Sequence, residues 1–295
     1  MTERTRGTLM MLLSAVFFAL MGALVRGLPE VSPFTTVMGR FVGGVVVCLG
    51  LFVAGLDRPR WVNWPWLVAR GVIGGLAVVL FYWSIPACGL AKATMLSYTY
   101  VVFAALLAVP ILGERLRLAH WLAVAVAAAG AALVCGPGGA DFRLADLVPL
   151  LGGLLSGFAV ICITRCRETD TSINIFWSQS AFGAAIAAWP MATRWVPLSP
   201  FQFAMVAAIA LAAAAGQLAM TYAYKHTGAT QGSLLSLLTP VLTALIGVLY
   251  FQEPGTAGFI AGAGLIILAC AYLATHPVER GIGHEVPMTG SRPVG

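Results

Sequence analysis

The feature that most constrains this chain is a succession of long apolar segments, separated by short breaks that contain Pro, Gly or charged residues. A transmembrane helix needs about 20 mainly apolar residues to cross a bilayer. We predict ten spans, at residues 8–26, 33–56, 65–85, 92–112, 119–136, 146–165, 173–193, 200–224, 230–251 and 256–275. The expected fold class is all-α, a polytopic membrane protein of ten transmembrane helices surrounded by the lipid bilayer.

The composition excludes an ordinary soluble domain. Charged residues make up 9% of the chain, whereas a soluble domain averages about 25%. A formal net charge of +6 would suggest a polyanionic partner for a soluble protein. Because the basic residues here lie mostly between apolar segments, we expect no nucleic-acid partner. The six cysteines and four histidines form no ligand pattern, so we expect no metal and no cofactor.

Lys and Arg residues are concentrated in alternate connections between the spans. One set of connections, with both chain ends, contains eleven: Arg4, Arg6, Arg58, Arg60, Arg115, Arg117, Arg165, Arg167, Lys225, Arg280 and Arg292. The other set contains four: Arg26, Lys92, Arg143 and Arg194. Since cytoplasmic loops are enriched in Lys and Arg, we predict a bacterial inner-membrane protein with both termini in the cytoplasm. Arg70, near the cytoplasmic end of the third span, is expected to extend to the interface.

The sequence contains an internal repeat. The stretch GLAKATMLSYTYVVFAALLAVPILGE, which ends at Glu114, aligns without gaps with GATQGSLLSLLTPVLTALIGVLYFQE, which ends at Glu253. The offset is 139 residues, the difference between 253 and 114. Because each copy has an odd number of spans, the second copy enters the membrane from the opposite side. We predict inverted five-helix repeats at 1–137 and 138–276, followed by a flexible cytoplasmic tail at 277–295.

Inverted repeats recur in secondary transporters. Two halves of opposite polarity can exchange conformations, and a central site then opens first to one side of the membrane and then to the other. The alternative is a duplication kept only for packing.

Two segments of the chain resemble a known family. FYWSIPACGLAKATMLSYTYVVFAALLAVPILGERL and, in the second copy, TPVLTALIGVLYFQEP are similar to the repeat signature of the EamA-type drug/metabolite transporter superfamily. The resemblance implies a carrier whose central cavity is lined by helices one to four and six to nine, with helices five and ten at the periphery. It also implies a substrate among amino acids, nucleotide-linked compounds, vitamins and drugs, and favours an exporter.

The predicted function is therefore a secondary transporter that exports small organic metabolites such as amino acids. An uptake or exchange carrier for a nucleotide-like or vitamin-like metabolite and a multidrug efflux protein are the alternatives. An enzyme would need clustered catalytic groups within the spans, and an ion channel would need rings of charge or filter loops. The sequence shows neither pattern. The Ala- and Gly-rich fifth and tenth spans could support a homodimer.

Arg40 is the most informative single residue. It lies seven positions after Pro33, hence about 10 Å into the membrane at roughly 1.5 Å per residue. A charge at that depth is costly unless it faces a wet cavity or a partner. Either Arg40 faces the transport pathway and attracts a carboxylate or phosphate, or it snorkels outward or pairs with carbonyls. Every acidic residue lies in a loop, at a helix end or in a tail, which favours a facilitator or exchanger over a carboxylate-driven proton antiporter.

Aromatic and amide side chains near mid-span form a second group of candidate substrate-binding residues. They are Tyr82, Trp83, Tyr98, Tyr100, Trp177, Gln179, Gln217 and Tyr222. Substrate cavities combine apolar and aromatic walls with a few oriented polar groups. Gln179 is the repeat counterpart of Arg40, and Tyr222 that of Trp83. For each residue the alternative is helix packing or an interfacial aromatic belt.

Further signals concern packing and helix ends. Glycines four residues apart, such as Gly71 and Gly75, predict close helix contacts. Pro240 predicts a kink, either a gating hinge or a static bend. We expect Glu114 and Glu253 to cap the helices that follow them.

Overall fold

The computed structural model describes residues 2–88, 90–135, 143–193, 197–252, 257–276 and 278–280. Within these ranges the chain forms twelve α-helices: α1 (Glu3–Arg26), α2 (Pro33–Val53), α3 (Trp64–Cys88), α4 (Leu90–Tyr98), α5 (Tyr100–Leu112), α6 (Leu118–Cys135), α7 (Leu147–Cys166), α8 (Ser172–Ala192), α9 (Pro200–Thr227), α10 (Ala229–Ser236), α11 (Leu238–Tyr250) and α12 (Ala257–Thr275). A 3₁₀ helix, Leu144–Asp146, precedes α7. Two short strands, β1 (Glu114–Arg115) and β2 (Glu279–Arg280), pair antiparallel.

The helices identify an all-α, multi-pass membrane protein. Among the described residues, six segments are long and apolar enough to cross a membrane: Glu3–Arg26, Pro33–Val53, Trp64–Ile85, Leu144–Cys166, Pro200–Thr227 and Ala229–Tyr250. Three shorter apolar helices are Leu96–Leu112, Leu118–Leu133 and Ile260–Tyr272. α8 has the length of a span but is more polar than these helices. Four of its polar side chains are buried inside the bundle: Asn174, Ser178, Gln179 and Ser180.

The observed helices follow the predicted spans closely, but two of those spans are interrupted. The span predicted at 92–112 is broken at Thr99, between α4 and α5, and the span at 230–251 is broken at Leu237, between α10 and α11. Pro240 has no N–H to donate to the carbonyl of Ser236, so the helix is weakened where α10 ends. The kink predicted at this proline is confirmed as a break three residues earlier.

The repeat offset of 139 residues pairs α1 with α7, α2 with α8, α3 with α9 and α5 with α11. When each helix is replaced by its partner, one pair of contacting helices becomes another pair that is also in contact. α1 packs on α9, and α7 packs on α3. The contact of α2 with α9 likewise corresponds to that of α8 with α3. The contact of α5 with α7 corresponds to that of α11 with α1. α6 packs on α12. The pattern of contacts therefore has the same approximate symmetry as the sequence.

Glycines allow a close contact between α3 and α8. A Cβ atom added to Gly75 would lie 2.8 Å from the Cα of Gly183, and one added to Gly71 would lie 2.6 Å from the Ser178 hydroxyl oxygen. Because the hydrophobic effect does not drive helices together inside a bilayer, their association depends on such close packing. The predicted packing role of Gly71 and Gly75 is confirmed.

The bundle has two ends of different chemistry. At one, called here the Glu114 end, His226 Nδ1 lies 3.1 Å from a Glu3 carboxylate oxygen. β2, within the stretch expected to be a flexible tail, also pairs with β1 at this end. The other, the Arg26 end, contains the last residue of α1 and the first residues of α2 and α9. α1 therefore runs from the Glu114 end to the Arg26 end, and α9 runs in the opposite direction.

We expect Gly75→Ala to lower the thermal unfolding midpoint of the detergent-purified protein. The added methyl group would press on the Gly183 backbone, and such overpacking typically costs about 1–3 kcal/mol. Gly264→Ala is the matched control, because a Cβ there meets no atom within 4 Å. A midpoint for Gly75→Ala equal to or above that of Gly264→Ala would contradict the close helix crossing.

Candidate functional site

A cavity of about 370 Å³ lies at the centre of the bundle. Its lining comes from α1–α5 and α7–α11, and among the described residues α6 and α12 contribute none. Sites for small organic ligands typically measure about 300–1,000 Å³. The volume and the central position make this cavity the candidate functional site.

Apolar and aromatic side chains form most of the cavity wall. They include Phe18, Met21, Phe81, Met220 and Ile246. A smaller number of hydroxyl groups interrupt this surface, from Thr94, Ser97, Ser156, Thr239 and Thr243. Such a wall accommodates an organic molecule with an apolar body and a few hydrogen-bonding groups.

Six of the nine candidate substrate-binding residues line the cavity. They are Arg40, Tyr82, Tyr98, Tyr100, Gln179 and Gln217. They come from both halves of the sequence, and Arg40 and Gln179 are the pair related by the repeat offset. The fold therefore brings together residues up to 177 positions apart, the separation of Arg40 and Gln217. Their role in substrate binding stays a prediction.

The other three candidates lie outside the cavity lining. Trp83 is 48% exposed and its ring meets the ring of Phe34 edge-on at 5.9 Å. Trp177 packs against Phe52, and Tyr222 lies 5.1 Å from the His226 ring. Adjacent helical residues point about 100° apart, so Tyr82 can face the cavity while Trp83 faces outward.

Arg70 lines the cavity although the sequence predicted that it would extend to the membrane interface. That prediction is wrong, because the residue is only 3% exposed. Its Nη2 donates a hydrogen bond of 2.6 Å to Gln179 Oε1 on α8. Gly74, one turn further along α3, makes room for the guanidinium, since a Cβ there would overlap Arg70 Nη1. The sequence signal for this burial is the small residue Gly74, four positions after Arg70.

Arg40 also contributes a positive charge to the cavity. The residue is half-buried, and its guanidinium carbon lies 5.8 Å from the centroid of the Phe18 ring, a cation–π contact. Arg40 and Arg70 are close enough to interact electrostatically. The lining formed by described residues contains these two arginines and Arg26 but no Asp or Glu.

Three buried acidic residues have backbone partners away from the cavity. Asp170 accepts hydrogen bonds of 3.1 Å from the amides of Val62 and Asn63. Asp146 accepts one of 2.7 Å from the Arg143 amide. The third, Glu114, is 3% exposed. These carboxylates therefore do not neutralise the arginines of the cavity.

Glu114 caps α10, which is 115 residues away in the sequence. One carboxylate oxygen accepts a hydrogen bond of 2.7 Å from the Ala229 amide, and the other accepts one of 3.2 Å from the Thr230 amide. The sequence predicts instead that Glu114 caps the helix that follows it, α6. At the start of α6, the His120 side chain accepts a hydrogen bond from the Arg117 amide. Capping is thus observed on a different helix, while Glu253 lies outside the described residues.

The cavity is closed at the Glu114 end and reaches the Arg26 end. Its lining stops at Tyr224, which is fully buried, on the side where Glu114 joins α10. On the other side it includes the exposed Arg26 and the partly buried Phe251, and the Arg26 guanidinium lies 5.1 Å from the Phe251 ring centroid. Access from solvent is therefore toward the Arg26 end.

The two interrupted spans meet at the cavity. The Tyr100 hydroxyl, directly after the break at Thr99, hydrogen-bonds the Ser236 hydroxyl, directly before the break at Leu237. Because Ser236 donates its own proton to the Ser233 carbonyl, 2.6 Å away, Tyr100 is the donor to Ser236. This bond links α5 to α10 across the two halves.

The four cysteines whose side chains the structure describes are buried and unpaired: Cys48, Cys162, Cys166 and Cys270. The same part of the chain contains no cluster of His, Cys, Asp and Glu that could hold a metal ion.

The structure is a polytopic helical bundle around a central cavity, and comparison with known proteins gives the family. The EamA-like transporter family matches the chain twice, over residues 5–136 and 143–275. The chain belongs to this family, and the resemblance noted in the sequence is confirmed. It is a multi-pass membrane transporter of the drug/metabolite transporter type.

Relatives of the chain carry transporter names. It is 27% identical over 273 residues to the pseudopaline exporter CntI of Pseudomonas aeruginosa, a match that covers 91% of this chain and 95% of the relative. It is 26% identical over 285 residues to a riboflavin transporter of Rhizobium johnstonii, covering 93% and 92%. A solved crystal structure superposes with a TM-score of 0.77 at 19% identity, covering 92% of this chain and 98% of that one. This last likeness shows a shared fold.

We expect Glu114→Gln to lower the thermal unfolding midpoint, because the carboxamide keeps one acceptor but loses the charge and the second acceptor. Charged hydrogen bonds contribute about 1.5–3 kcal/mol, and a helix N-terminus favours a negative charge. Glu168→Gln is the matched control, because Glu168 is half-exposed in a surface ion pair with Arg165. Equal midpoints for the two variants would show that the cap does not stabilise the closed end.

Proposed function

We propose that this protein is a secondary transporter that exports small organic metabolites, such as amino acids, across the bacterial inner membrane by alternating access. The observation that carries the proposal is the central cavity, which is closed at the Glu114 end and reaches the Arg26 end. A carrier requires such a one-sided state, together with a second state of opposite polarity. We assign it no enzymatic activity, in keeping with a family of transporters.

The architecture we propose is ten transmembrane spans in two inverted repeats. Counting α4 with α5 and α10 with α11 gives ten spans from the twelve helices of the described ranges. The proposed units are 1–137 and 138–276, with a cytoplasmic tail at 277–295. Support comes from the two matches to the family, near 5–136 and 143–275, and from the reciprocal helix contacts.

The proposed orientation places the Glu114 end in the cytoplasm. The loops at this end are rich in Lys and Arg, and cytoplasmic loops are enriched in these residues. Both chain termini then lie in the cytoplasm, and the cavity reaches the opposite, periplasmic face. We also propose that α6 and α12, which pack together at the periphery, present outward surfaces that lipid or a second copy of the chain could cover.

The proposed transport step opens the Glu114 end and closes the Arg26 end. Opening requires the Ala229 and Thr230 amides to separate from Glu114. The breaks at Thr99 and Leu237 are suitable hinges, because α4, α5, α10 and α11 can reorient there without unwinding a continuous helix. The bond between Tyr100 and Ser236 couples the two hinges.

The substrate-binding residues we propose are Arg40, Tyr82, Trp83, Tyr98, Tyr100, Trp177, Gln179, Gln217 and Tyr222. The six that line the cavity in this state are the stronger candidates, and Trp83, Trp177 and Tyr222 would need to turn inward during the cycle. An uptake or exchange carrier for a vitamin-like compound is the second candidate function, favoured by the likeness to a riboflavin transporter.

The purified protein in proteoliposomes should show saturable uptake of at least one labelled metabolite, and unlabelled metabolite inside the vesicles should accelerate that uptake. Trans-stimulation is expected because a carrier returns across the membrane with bound substrate. The panel should contain amino acids, nucleosides and riboflavin, with protein-free liposomes as the control. Flux that rises linearly with concentration and ignores the internal compound would contradict a carrier.

Cysteine labelling should place the Arg26 end outside the cell. In a variant whose native cysteines are replaced, an impermeant maleimide should label Glu30→Cys on intact cells, because the exposed loop after α1 lies at the Arg26 end. Arg58→Cys, in the exposed loop after α2 at the Glu114 end, should react only after the membrane is opened. The reverse pattern would overturn the proposed orientation.

A further inference from the structure

We propose that Arg70, held by Gln179, binds a carboxylate group of the substrate, so that the transported compounds are organic carboxylates with an apolar body. This inference rests on the proposed transport function and names the substrate class of the same cavity. It starts from an arginine at the closed end of the cavity whose hydrogen-bonding capacity is largely unused.

The guanidinium of Arg70 has free donors. It carries five N–H groups, and among the described residues it donates one hydrogen bond, from Nη2 to Gln179 Oε1. Its Nε is buried and has no hydrogen-bond partner among the described residues. A buried donor without a partner costs free energy, more so when the group is charged. A carboxylate that accepts hydrogen bonds from two adjacent donors would satisfy this geometry.

The charge of Arg70 also lacks a counterion in the described part of the chain. The titratable groups that influence it are Cys162, Cys166, Tyr224 and Arg40. None of them is a carboxylate, and Arg40 adds a second positive charge. Two arginines in a largely apolar cavity attract an anion strongly, because the low dielectric weakens the interaction little. The missing negative charge is therefore expected from the ligand.

The neighbours of Arg70 hold it in place before a ligand arrives. Gln179 fixes one edge of the guanidinium, and Gly74 leaves just enough space for Nη1. A preorganised donor group loses little freedom on binding and discriminates by geometry. The remaining wall, with Phe18, Phe81 and Met220, suits the apolar part of an organic acid better than it suits a small inorganic anion.

The experiment compares carboxylates with carboxamides of the same skeleton, which lack the negative charge. L-Leucine, L-phenylalanine and N-acetyl-L-phenylalanine are each tested against the matching carboxamide, with riboflavin as a neutral compound and inorganic phosphate as a second kind of anion. The N-acetylated pair isolates the carboxylate, because it carries no ammonium group. Counterflow in proteoliposomes measures apparent affinity, and the shift of the thermal unfolding midpoint of the purified protein measures binding without transport. We expect binding by at least one carboxylate and none by its carboxamide.

Three variants at two positions test the residues. Arg70→Gln should weaken carboxylate binding on the order of 100-fold, and Arg70→Lys should restore only part of it, because a lysine lacks the two adjacent donors. Gln179→Glu keeps the size of the side chain and places a carboxylate beside Arg70, where it should exclude the substrate carboxylate. A purely structural pair would instead be strengthened by this change, with substrate affinity unaltered. Arg58→Gln, at an exposed loop position, is the charge-matched control and should bind like the natural protein.

The outcomes separate this inference from the transport proposal. Equal binding of carboxamides and carboxylates, or full carboxylate affinity in Gln179→Glu, would overturn the Arg70 site while leaving the carrier intact. Binding of phosphate and not of the organic acids would also overturn it. Carboxylate-induced stabilisation that depends on Arg70, without any counterflow, would support the site and count against transport.

Discussion

The crossing of α3 and α8 is the contact on which the rest of the site depends. Gly75 and Gly183 let the two backbones approach closely, and this approach brings Arg70 on α3 to within hydrogen-bond distance of Gln179 on α8. Lipid tails are as apolar as the helix surfaces, so close packing and interhelical hydrogen bonds, rather than hydrophobic burial, hold such a pair together. One contact therefore serves both the assembly of the two halves and the placement of a charged group in the cavity.

Polar groups in a hydrocarbon environment must find partners within the protein, and this chain separates its charges accordingly. Glu114 and Asp170 lie near helix ends, where backbone amides satisfy their oxygens. Arg40 and Arg70 face the cavity. The result is a cavity wall of apolar and aromatic residues that also carries positive charge.

The interrupted helices connect this cavity to the ends of the bundle. At the breaks, the amides of Thr99 and Leu237 donate hydrogen bonds to carbonyls three residues earlier instead of four, and membrane proteins tolerate such breaks where they line a cavity or are covered by protein. Tyr100 and Ser236 join the two breaks directly. Glu114 then ties the first residues of α10 to the end of the bundle opposite the cavity opening. The interrupted helices are thus in contact with both the cavity and its closed end.

The sequence by itself determined that the chain is an all-α, multi-pass membrane protein, because apolar segments of sufficient length have few alternatives in a bilayer. It also determined the family, the break near Pro240 and the close-packing role of Gly71 and Gly75. Only the tertiary structure decided which face of each helix points inward: Tyr82 lines the cavity and Trp83 does not. The burial of Arg70 also depends on the tertiary structure, because its position near a helix end predicted that it would reach the membrane interface. The same holds for the hydrogen bond between Glu114 and an amide 115 residues away. These contacts join distant segments, so they depend on how helices pack, which local patterns do not specify.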